Sequence, residues 1–399
     1  MHTGSPRATQ AWTRMATSFA NDATLAESSQ AAASLVASGP RPRSISVLPT
    51  VRSEGGQIQL THESGDRYRS LGVLGTGGMG VVERAEDIDI GRPVAIKRLL
   101  PEASNAIGVA RFVSEIRIVG SLDHPNVVPI HDVGVDADGR YFFVMKYVEG
   151  QTLADIIERL SAGDPAALAF WTSERRVELM IAVLQALDYA HERGVLHRDV
   201  KPENIMVGTH GEVRLMDWGV ARRIGVADPG EDVTPGLIGT PAYMSPEQAA
   251  LKDLDARSDI YAAAVVLHEF FALHHYLAHH ADSLYGLLEA VQTETVDCMD
   301  SGRDSPKGRL PPELRHICWR GMQKDPANRY QSAKELIDDL RRYIDGTYEV
   351  KCMFTFTKRA LREGGRFVDR RPNAAVALAA THTAFSLFGV GALIYMLIA

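Results

Sequence analysis

The spacing of apolar residues changes character along the chain. In residues 71–82 they alternate with small or polar residues, and in residues 141–148 they form a short continuous run, so both stretches are predicted to be β-strands. In residues 174–193 they recur at helical intervals, and residues 262–273 are apolar almost all round, which predicts a buried helix. Strands followed by helices are typical of an α+β fold.

Two short apolar runs, residues 205–207 and 213–216, flank a polar turn and are predicted to pair as a β-hairpin. Asp199 precedes this hairpin and Asp217 follows it, so the hairpin brings their carboxylates toward each other. One carboxylate can then orient a hydroxyl proton while the other holds a divalent cation, with Asn204 as a second oxygen ligand. This set of groups indicates phosphoryl transfer.

The residues around the hairpin resemble a known family. Residues 197–204 read H-R-D-V-K-P-E-N and residues 217–219 read D-W-G, which is similar to the H-R-D-L-x-x-x-N and D-F-G of protein kinases. Lys201 is the version found in serine/threonine kinases, and Trp218 replaces the family's phenylalanine. The resemblance implies the bilobal protein-kinase fold, with a β-rich N-lobe and a helical C-lobe.

The resemblance also implies a role for each polar residue of these motifs. Asp199 would orient or accept the proton of a substrate hydroxyl, and Lys201 would stabilise the transferring phosphoryl group. Asn204 and Asp217 would hold Mg²⁺, or Mn²⁺ in its place. The implied activity is transfer of the ATP γ-phosphoryl group to serine and threonine hydroxyls of proteins.

A glycine-rich stretch lies upstream, with Gly75, Gly77 and Gly80 in the pattern G-x-G-x-x-G. Glycines let the backbone N–H groups close over phosphates. The same pattern opens dinucleotide-binding folds, but those continue into a helix, whereas this chain continues into a second strand. Residues 94–97 then read V-A-I-K, whose lysine in kinases holds the α- and β-phosphates, so Lys97 is expected to position ATP.

Two further nucleotide contacts follow from the resemblance. The predicted helix 107–121 carries Glu115, the expected ion-pair partner of Lys97, and this pair marks the active arrangement of a kinase. The strand 141–148 resembles the hinge between lobes, where backbone groups would meet adenine. The expected nucleotide site consists of Leu74, Gly75, Thr76, Gly77, Gly78, Met79, Gly80, Val82, Ala95, Lys97, Met145, Lys146 and Val148.

Residues 217–247 resemble the activation segment of kinases, including G-T-P-A-Y-M-S-P-E at its end. Arg198, beside the loop aspartate, is typical of kinases that are activated by a phosphate on this segment, because its guanidinium pairs with phosphate. Thr234 is the expected activating phosphosite. Thr240 is expected to contact the loop aspartate and lysine instead.

Three residues match architectural positions of the family. Asp259 is expected to anchor the backbone of the catalytic loop, and Arg329 to pair with Glu247. The pattern S-A-K-E at residues 332–335 predicts the start of the last helix, which continues to about residue 343.

Composition narrows the partners. The net charge of −7, without a basic stripe interleaved with aromatics, argues against nucleic acid. The three cysteines (Cys298, Cys318 and Cys352) are far apart and suggest neither zinc nor a disulfide framework, which fits a reducing cytosol. Four nearby histidines (His274, His275, His279 and His280) have no acidic or cysteine partner at metal-ligand spacing, so a solvated helix face is expected there.

The two ends differ from the body. Residues 1–65 are rich in small and polar residues and are predicted to be a disordered arm, followed by a kinase domain over 66–345 (N-lobe 66–146, C-lobe 147–345). A basic juxtamembrane segment over 346–373 precedes residues 374–399, which carry no formal charge and are predicted to form a transmembrane helix. By the positive-inside rule, the kinase domain of a single-pass cell-membrane protein would then be cytoplasmic.

Three functions remain open at this stage. The first is a membrane-tethered serine/threonine protein kinase of bacterial type, which takes protein substrates and pairs as a homodimer for trans-autophosphorylation. The second is a catalytically silent scaffold of the same fold, to which Trp218 draws attention. The third, a small-molecule phosphotransferase, usually lacks the G-T-P-x-Y-x-x-P-E segment that this chain contains.

Overall fold

A computed structural model of the chain describes residues 50–54, 57–61, 66–77, 79–136, 138–225, 239–280, 283–295 and 310–349. An antiparallel sheet dominates the first part of these residues and helices dominate the second, so the predicted two-lobed α+β fold is confirmed. The described strands are β1 (Thr50–Glu54), β2 (Gln57–Thr61), β3 (Tyr68–Thr76), β4 (Gly80–Asp87), β5 (Arg92–Leu99), β6 (Ile130–Val135), β7 (Tyr141–Lys146), β8 (Gly150–Thr152), β9 (Val195–Leu196), β10 (Ile205–Gly208), β11 (Val213–Leu215) and β12 (Arg222–Arg223). The α-helices are α1 (Ala106–Gly120), α2 (Leu153–Ala162), α3 (Pro165–Phe170), α4 (Ser173–Glu192), α5 (Pro246–Ala249), α6 (Ala256–Ala272), α7 (Leu284–Thr293), α8 (Pro312–Gly321) and α9 (Ala333–Ile344).

The N-lobe is an antiparallel sheet in the order β3-β4-β5-β7-β6. Side chains of β5 alternate between its two faces. Val94 and Ile96 join one buried cluster, whereas Ala95 and Leu99 join another that includes Phe112 of α1. Lys97 therefore leaves the strand on the face that α1 covers.

Helix α1 begins where the side chain of Asn105 accepts a hydrogen bond from the Gly108 N–H at 2.9 Å. Phe112 is fully buried against the sheet, and its ring centroid lies 5.3 Å from that of Phe143. Glu115 follows one helical turn later and therefore shares this face. The packing of α1 thus directs a carboxylate toward the lysine of β5.

The C-lobe is built around α6. Every residue from Ser258 to Ala272 is buried, as its apolar composition predicts. The helix packs against α4, α8 and α9, and it starts where the Asp255 side chain accepts from the Arg257 N–H at 2.8 Å.

The predicted hairpin is present as β10 and β11, whose register pairs Ile205 with Leu215. Strand β8 adds to the other edge of β10. The last helix, α9, starts at the predicted cap, where the Ser332 hydroxyl accepts from the Glu335 N–H at 3.2 Å. The elements around the predicted catalytic loop are therefore those that the hydrophobic pattern indicates.

The prediction of disorder over residues 1–65 is wrong for part of that stretch. Strands β1 and β2 pair with each other, with Glu54 opposite Gln57. Between them the sequence is Gly55-Gly56, flanked by apolar residues that alternate with polar ones, which is a hairpin signal. The polar composition of the arm concealed this short local pattern.

One local prediction also needs correction. The histidines do not share a solvated helix face, because α6 ends at Ala272 and Leu273 adopts a left-handed φ of 58°. His275 is buried beyond that end.

Within the part of the chain that the structure describes, no helix has the length and apolar character needed to cross a bilayer. The predicted transmembrane helix over 374–399 lies outside these residues, as do residues 351–373 of the basic segment.

A buried ion pair ties α5 to the loop before α9. Arg329 donates from both terminal nitrogens to the Glu247 carboxylate, each at 2.7 Å, and Ser258 donates to the same carboxylate at 2.6 Å. Burial raises the pKa of Glu247, but the Arg329 guanidinium outweighs that effect and lowers it. The pair therefore stabilises the fold at neutral pH, and this contribution is lost as the pH falls through the folded-state pKa.

Replacing Arg329 with leucine leaves Glu247 buried without its cationic partner. We expect the free energy of unfolding to fall by about 3–5 kcal/mol, as measured by urea denaturation. Arg159→Leu is the matched control, because Arg159 is 44% exposed in its pair with Asp164 and its loss should cost less than about 1 kcal/mol. Equal losses in the two variants would contradict this account, whereas adding Glu247→Leu to Arg329→Leu should restore part of the stability.

Candidate active site

The loop of residues 197–204 is held by Asp259 near the start of α6. The two carboxylate oxygens of Asp259 accept from the backbone N–H groups of His197 and Arg198, each at 2.8 Å. His191 of α4 contacts the same carboxylate at 2.8 Å. Arg198 has a left-handed φ of 65°, an unfavourable conformation for a side chain of its size. The contacts of Asp259 stabilise this conformation immediately before Asp199.

The carboxylate of Asp199 is fixed by three donors. Its Oδ1 accepts from the Thr240 N–H at 2.7 Å, while its Oδ2 lies 3.1 Å from Asn204 Nδ2 and 2.8 Å from Lys201 Nζ. Lys201 also donates to the Thr240 hydroxyl at 2.6 Å. Thr240 is buried and contacts both residues, as the sequence predicts. The catalytic loop and the end of the activation-like segment therefore form one hydrogen-bonded unit.

Asn204 and Asp217 are placed beside each other by backbone contacts. The Met216 N–H donates to the Asn204 carbonyl at 2.8 Å, and His197 Nε2 contacts the Met216 carbonyl at 3.0 Å. Asp217 follows directly, with a left-handed φ of 55°. Asn204 uses its amide nitrogen for its bonds to Asp199, which leaves its amide oxygen for a cation. This oxygen and the Asp217 carboxylate are the donor types that Mg²⁺ prefers.

Lys97 connects the two lobes. Its Nζ lies 2.7 Å from Glu115 Oε1 and 3.2 Å from Asp217 Oδ1. Burial lowers the pKa of Lys97, but the charges of Asp217 and Glu115 outweigh it and raise the pKa, so the side chain stays charged. Lys97 in turn is the main reason that the pKa of Asp217 falls to about 2. The expected lysine–glutamate pair is present.

The glycine-rich stretch forms the turn between β3 and β4. The Gly77 N–H donates to the Gly80 carbonyl at 2.8 Å. A Cβ at Gly80 would lie 2.8 Å from the Arg98 carbonyl, so packing requires glycine there. A Cβ at Gly75 would meet nothing within 4 Å, so the chain itself does not require that glycine. The open space beside Gly75 fits the close approach of a phosphate. Gly78 lies outside the described residues.

The remaining residues of the expected nucleotide site lie in the N-lobe sheet, in the glycine turn or just after β7. Ala95 and Met145 pair across β5 and β7 in one buried cluster, and Val82 packs against it. Lys146 ends β7, and its N–H donates to the Pro129 carbonyl at 3.1 Å. An adenine contact at Lys146 must therefore use the carbonyl. The other members, Leu74, Thr76, Met79 and Val148, lie in β3, in the glycine turn and just after β7.

Trp218 is almost completely buried, with 1% of its surface exposed. Its ring meets that of His197 edge to face at a centroid distance of 4.5 Å, and its indole N–H donates to the Leu215 carbonyl at 3.3 Å. The larger ring is thus accommodated with its polar atom satisfied, while Asp217 beside it contacts Lys97.

Arg198 is buried and its Nε donates to the Val220 carbonyl at 2.5 Å. This contact places it beside the first part of the activation-like segment. Residues 226–238, including the expected phosphosite Thr234, lie outside the described residues.

Comparison with known proteins agrees with this geometry. Residues 68–340 match the protein kinase domain family, which is more than half of the chain. The chain belongs to the protein kinase family. The matched residues include the loop 197–204, the Lys97–Glu115 pair and the glycine turn.

Several curated relatives of this chain are bacterial proteins. The probable serine/threonine-protein kinase PknB of Bifidobacterium longum is 36% identical over 301 residues, which cover 73% of this chain and 41% of the relative. The serine/threonine-protein kinase PknD of Mycobacterium tuberculosis is 38% identical over 290 residues, which cover 72% of this chain and 40% of the relative. The chain spans about two fifths of the length of these relatives.

Two residues that support the kinase site were not predicted from the sequence. His191 contacts Asp259, and the Gln248 side chain donates to the Arg198 carbonyl at 2.8 Å. These residues are separated from their partners by 68 and 50 positions in the chain, so no local spacing pattern could reveal the contacts.

Replacing Lys97 with methionine removes the main cause of the low Asp217 pKa. We expect that pKa to rise from about 2 toward the ordinary aspartate value of about 3.9, measured by NMR titration of the Asp217 carboxyl carbon in the metal-free protein. At pH 4 the wild-type carboxylate should be ionised and that of the variant partly protonated. Because a lowered folded-state pKa stabilises the fold above the unfolded-state pKa, this contribution is present above about pH 4 and is lost toward pH 2.

Lys146→Met is the matched control, since Lys146 also lies in the N-lobe sheet but is not among the charges that shift Asp217. It should leave the Asp217 titration unchanged. The same titration curve in the wild type and the Lys97 variant would refute the assignment of Lys97 as the controlling charge.

Proposed function

We propose that this chain is an ATP-dependent serine/threonine protein kinase. The observation that carries the proposal is the pair of linked contacts in one cleft: Lys97 between Glu115 and Asp217, and Asp199 between Lys201 and Thr240. The names of the bacterial relatives support the serine/threonine class. A silent scaffold would not need to keep both sets of charged contacts.

The proposed nucleotide site combines the open space at the glycine turn with the positive charge of Lys97. Backbone N–H groups of this turn that are not used within it would close over the phosphates, and Lys97 would hold the α- and β-phosphates. Glu115 fixes the direction of the lysine side chain. The backbone of Lys146 and Val148 would meet the adenine edge, beside Met145.

The divalent cation would be held by Asn204 and Asp217, which offer an amide oxygen and a carboxylate. Mg²⁺ fits this oxygen donor set, and Mn²⁺ fits it as well. A bound cation would neutralise phosphate charge as the γ-phosphoryl group leaves. Because Asp217 has a pKa of about 2, it is ionised at any physiological pH before a cation arrives.

The acceptor hydroxyl would lie against Asp199. Its oxygen attacks the γ-phosphorus, the bond from that phosphorus to the bridging oxygen of ADP breaks, and Asp199 orients or accepts the hydroxyl proton. Lys201, 2.8 Å from Asp199 Oδ2, is placed to offset the charge of the transferring group. Burial lowers the pKa of Lys201, but Asp199 outweighs it and raises the pKa, so this cation persists at neutral pH.

Protein substrates are favoured over small molecules because the buried Thr240 ties Asp199 and Lys201 to the residues that follow. Tyr243 continues that segment and donates from its hydroxyl to Glu269 at 2.7 Å in the C-lobe core. These contacts hold the segment rigidly next to the position of the acceptor hydroxyl, where it can support an extended peptide.

We further propose a single-pass cell-membrane protein with a cytoplasmic kinase domain. The support is sequence alone: residues 374–399 are uncharged, and residues 351–372 hold seven Lys or Arg against two acidic residues. Pairing of two copies at the membrane would bring one activation segment to the other catalytic cleft. Membrane fractionation of cells that express the chain with and without residues 374–399 tests the anchor, since equal soluble fractions would refute it.

The purified chain with ATP and Mg²⁺ should phosphorylate serine or threonine in itself or in a generic protein acceptor. Asp199→Asn keeps the shape of the side chain but removes its charge, so the rate should fall by about 10²-fold or more. Incorporation of radiolabelled phosphate and phosphoamino-acid analysis measure both. Equal, near-zero incorporation by the wild type and the variant would favour the scaffold instead.

Thr234→Ala should lower activity by about tenfold or more, because a phosphate at that position would form charge-assisted hydrogen bonds with Arg198. The readout is the rate on an exogenous acceptor, together with phosphosite mapping by mass spectrometry. Thr24→Ala, in the N-terminal arm, is the control and should match the wild type. A loss of the same size in both variants would refute the phosphosite.

A further inference from the structure

Away from the cleft, three side chains have the donor set of a metal centre. His280 Nε2 lies 2.7 Å from Glu294 Oε1, and His279 Nε2 lies 3.4 Å from Glu294 Oε2. The three candidate ligand atoms are all within 4.8 Å of one another. Among the described residues, no other trio of His, Cys, Asp or Glu side chains converges in this way.

The backbone fixes both sides of this cluster. The histidines lie in a short 3-10 turn just after the fully buried Leu277, whose carbonyl accepts from the His280 N–H at 2.9 Å. Glu294 directly follows α7, three residues after the fully buried Val291, and its N–H donates to the Ala290 carbonyl at 2.8 Å. Ligands on anchored backbone need little reorganisation to close on an ion.

The contact of 2.7 Å between His280 and Glu294 is a hydrogen bond, which a bound ion would replace, whereas the separation between His279 and Glu294 suits two ligands of one ion. A contact of 3.4 Å between His279 and Glu294 is long for a strong hydrogen bond. It is close to the ~3.3 Å that separates two ligands at tetrahedral angles when each bond to zinc is about 2.0 Å. His279 is 53% exposed and Glu294 is 31% exposed, so an ion can enter from solvent.

We propose that His279, His280 and Glu294 form a Zn²⁺ site with water in the fourth position. Two imidazole nitrogens and one carboxylate oxygen match zinc, whereas Mg²⁺ prefers a shell of oxygens. The site is independent of the proposed kinase activity.

The bound ion cross-links the turn after α6 to the end of α7. Helix α7 packs against the turn Pro241–Tyr243, directly after Thr240. Lys324 also contacts α7, by donating to the Val291 carbonyl at 2.6 Å. This cross-link therefore stabilises the part of the C-lobe that supports the segment next to the catalytic loop.

The test uses the full chain, freed of metal and nucleotide, with Zn²⁺ alone as the probe. Calorimetric titration and metal analysis after dialysis should show one more Zn²⁺ per chain in the wild type than in the variant His279→Gln/His280→Gln or in Glu294→Gln. His210→Gln, an exposed histidine in the turn between β10 and β11, is the matched control and should bind as the wild type does. Comparing stoichiometries removes the contribution of all other metal-binding groups.

Two further readouts keep the outcome decisive. Zn²⁺ should raise the Tm of the wild type and the control by several degrees more than that of either site variant. Co²⁺ in place of Zn²⁺ should give the strong visible bands of a four-coordinate ion only when the three ligands are intact. Equal Zn²⁺ stoichiometry in all four proteins, or Co²⁺ bands that survive in the site variants, would overturn the proposal. Comparing the metal-free Tm values checks that the variants are folded.

Discussion

A buried carboxylate at the start of the central helix determines where the reactive loop lies. Asp259 is 1% exposed and accepts from consecutive backbone N–H groups, those of His197 and Arg198. Burial raises the pKa of Asp259, but His191 and these contacts outweigh it and lower the pKa, so the group is ionised. Hydrogen bonds to a buried charge are strong, and here they stabilise a left-handed residue directly before Asp199. The position of Asp199 thus depends on a helix that packs all round in the C-lobe.

The second constraint acts across the lobes. Lys97 leaves β5 and contacts one carboxylate on α1 and another just after β11. If α1 moved outward, Glu115 would lose its partner and Lys97 would turn to Asp217 alone. The position of α1 and the electrostatics of the cation ligand are therefore coupled through one ammonium group. Such a change of partner would be a physical basis for switching.

The parts of the fold that could be predicted are those that depend on residues close together in the sequence. The β10–β11 hairpin and helix α6 follow from periodicity, and Lys97, Asp199 and Asp217 follow from short motifs. The pairing of β1 with β2 was missed because the polar composition of the arm concealed the hairpin signal Gly55-Gly56 in the sequence. The contact between His191 and Asp259 joins residues 68 positions apart, and only the packing of α4 against α6 brings them together. Periodicity predicts which face of a helix is buried, but it does not predict which polar atoms of other elements will contact that face.

Trp218 and the histidines illustrate the same limit from two sides. The sequence shows that Trp218 departs from the family pattern, but only packing decides the consequence: the indole fills a buried space against His197 and donates to Leu215. The sequence likewise shows His279 and His280 without a nearby acidic partner, because Glu294 is 14 positions away and α7 must form to bring it back. The replacement at Trp218 and the missing ligand near His279 and His280 are both judged from residues that are close in the sequence. Whether either has a chemical consequence depends on neighbours in space, which are set by where buried anchors such as Leu277 and Val291 hold the backbone.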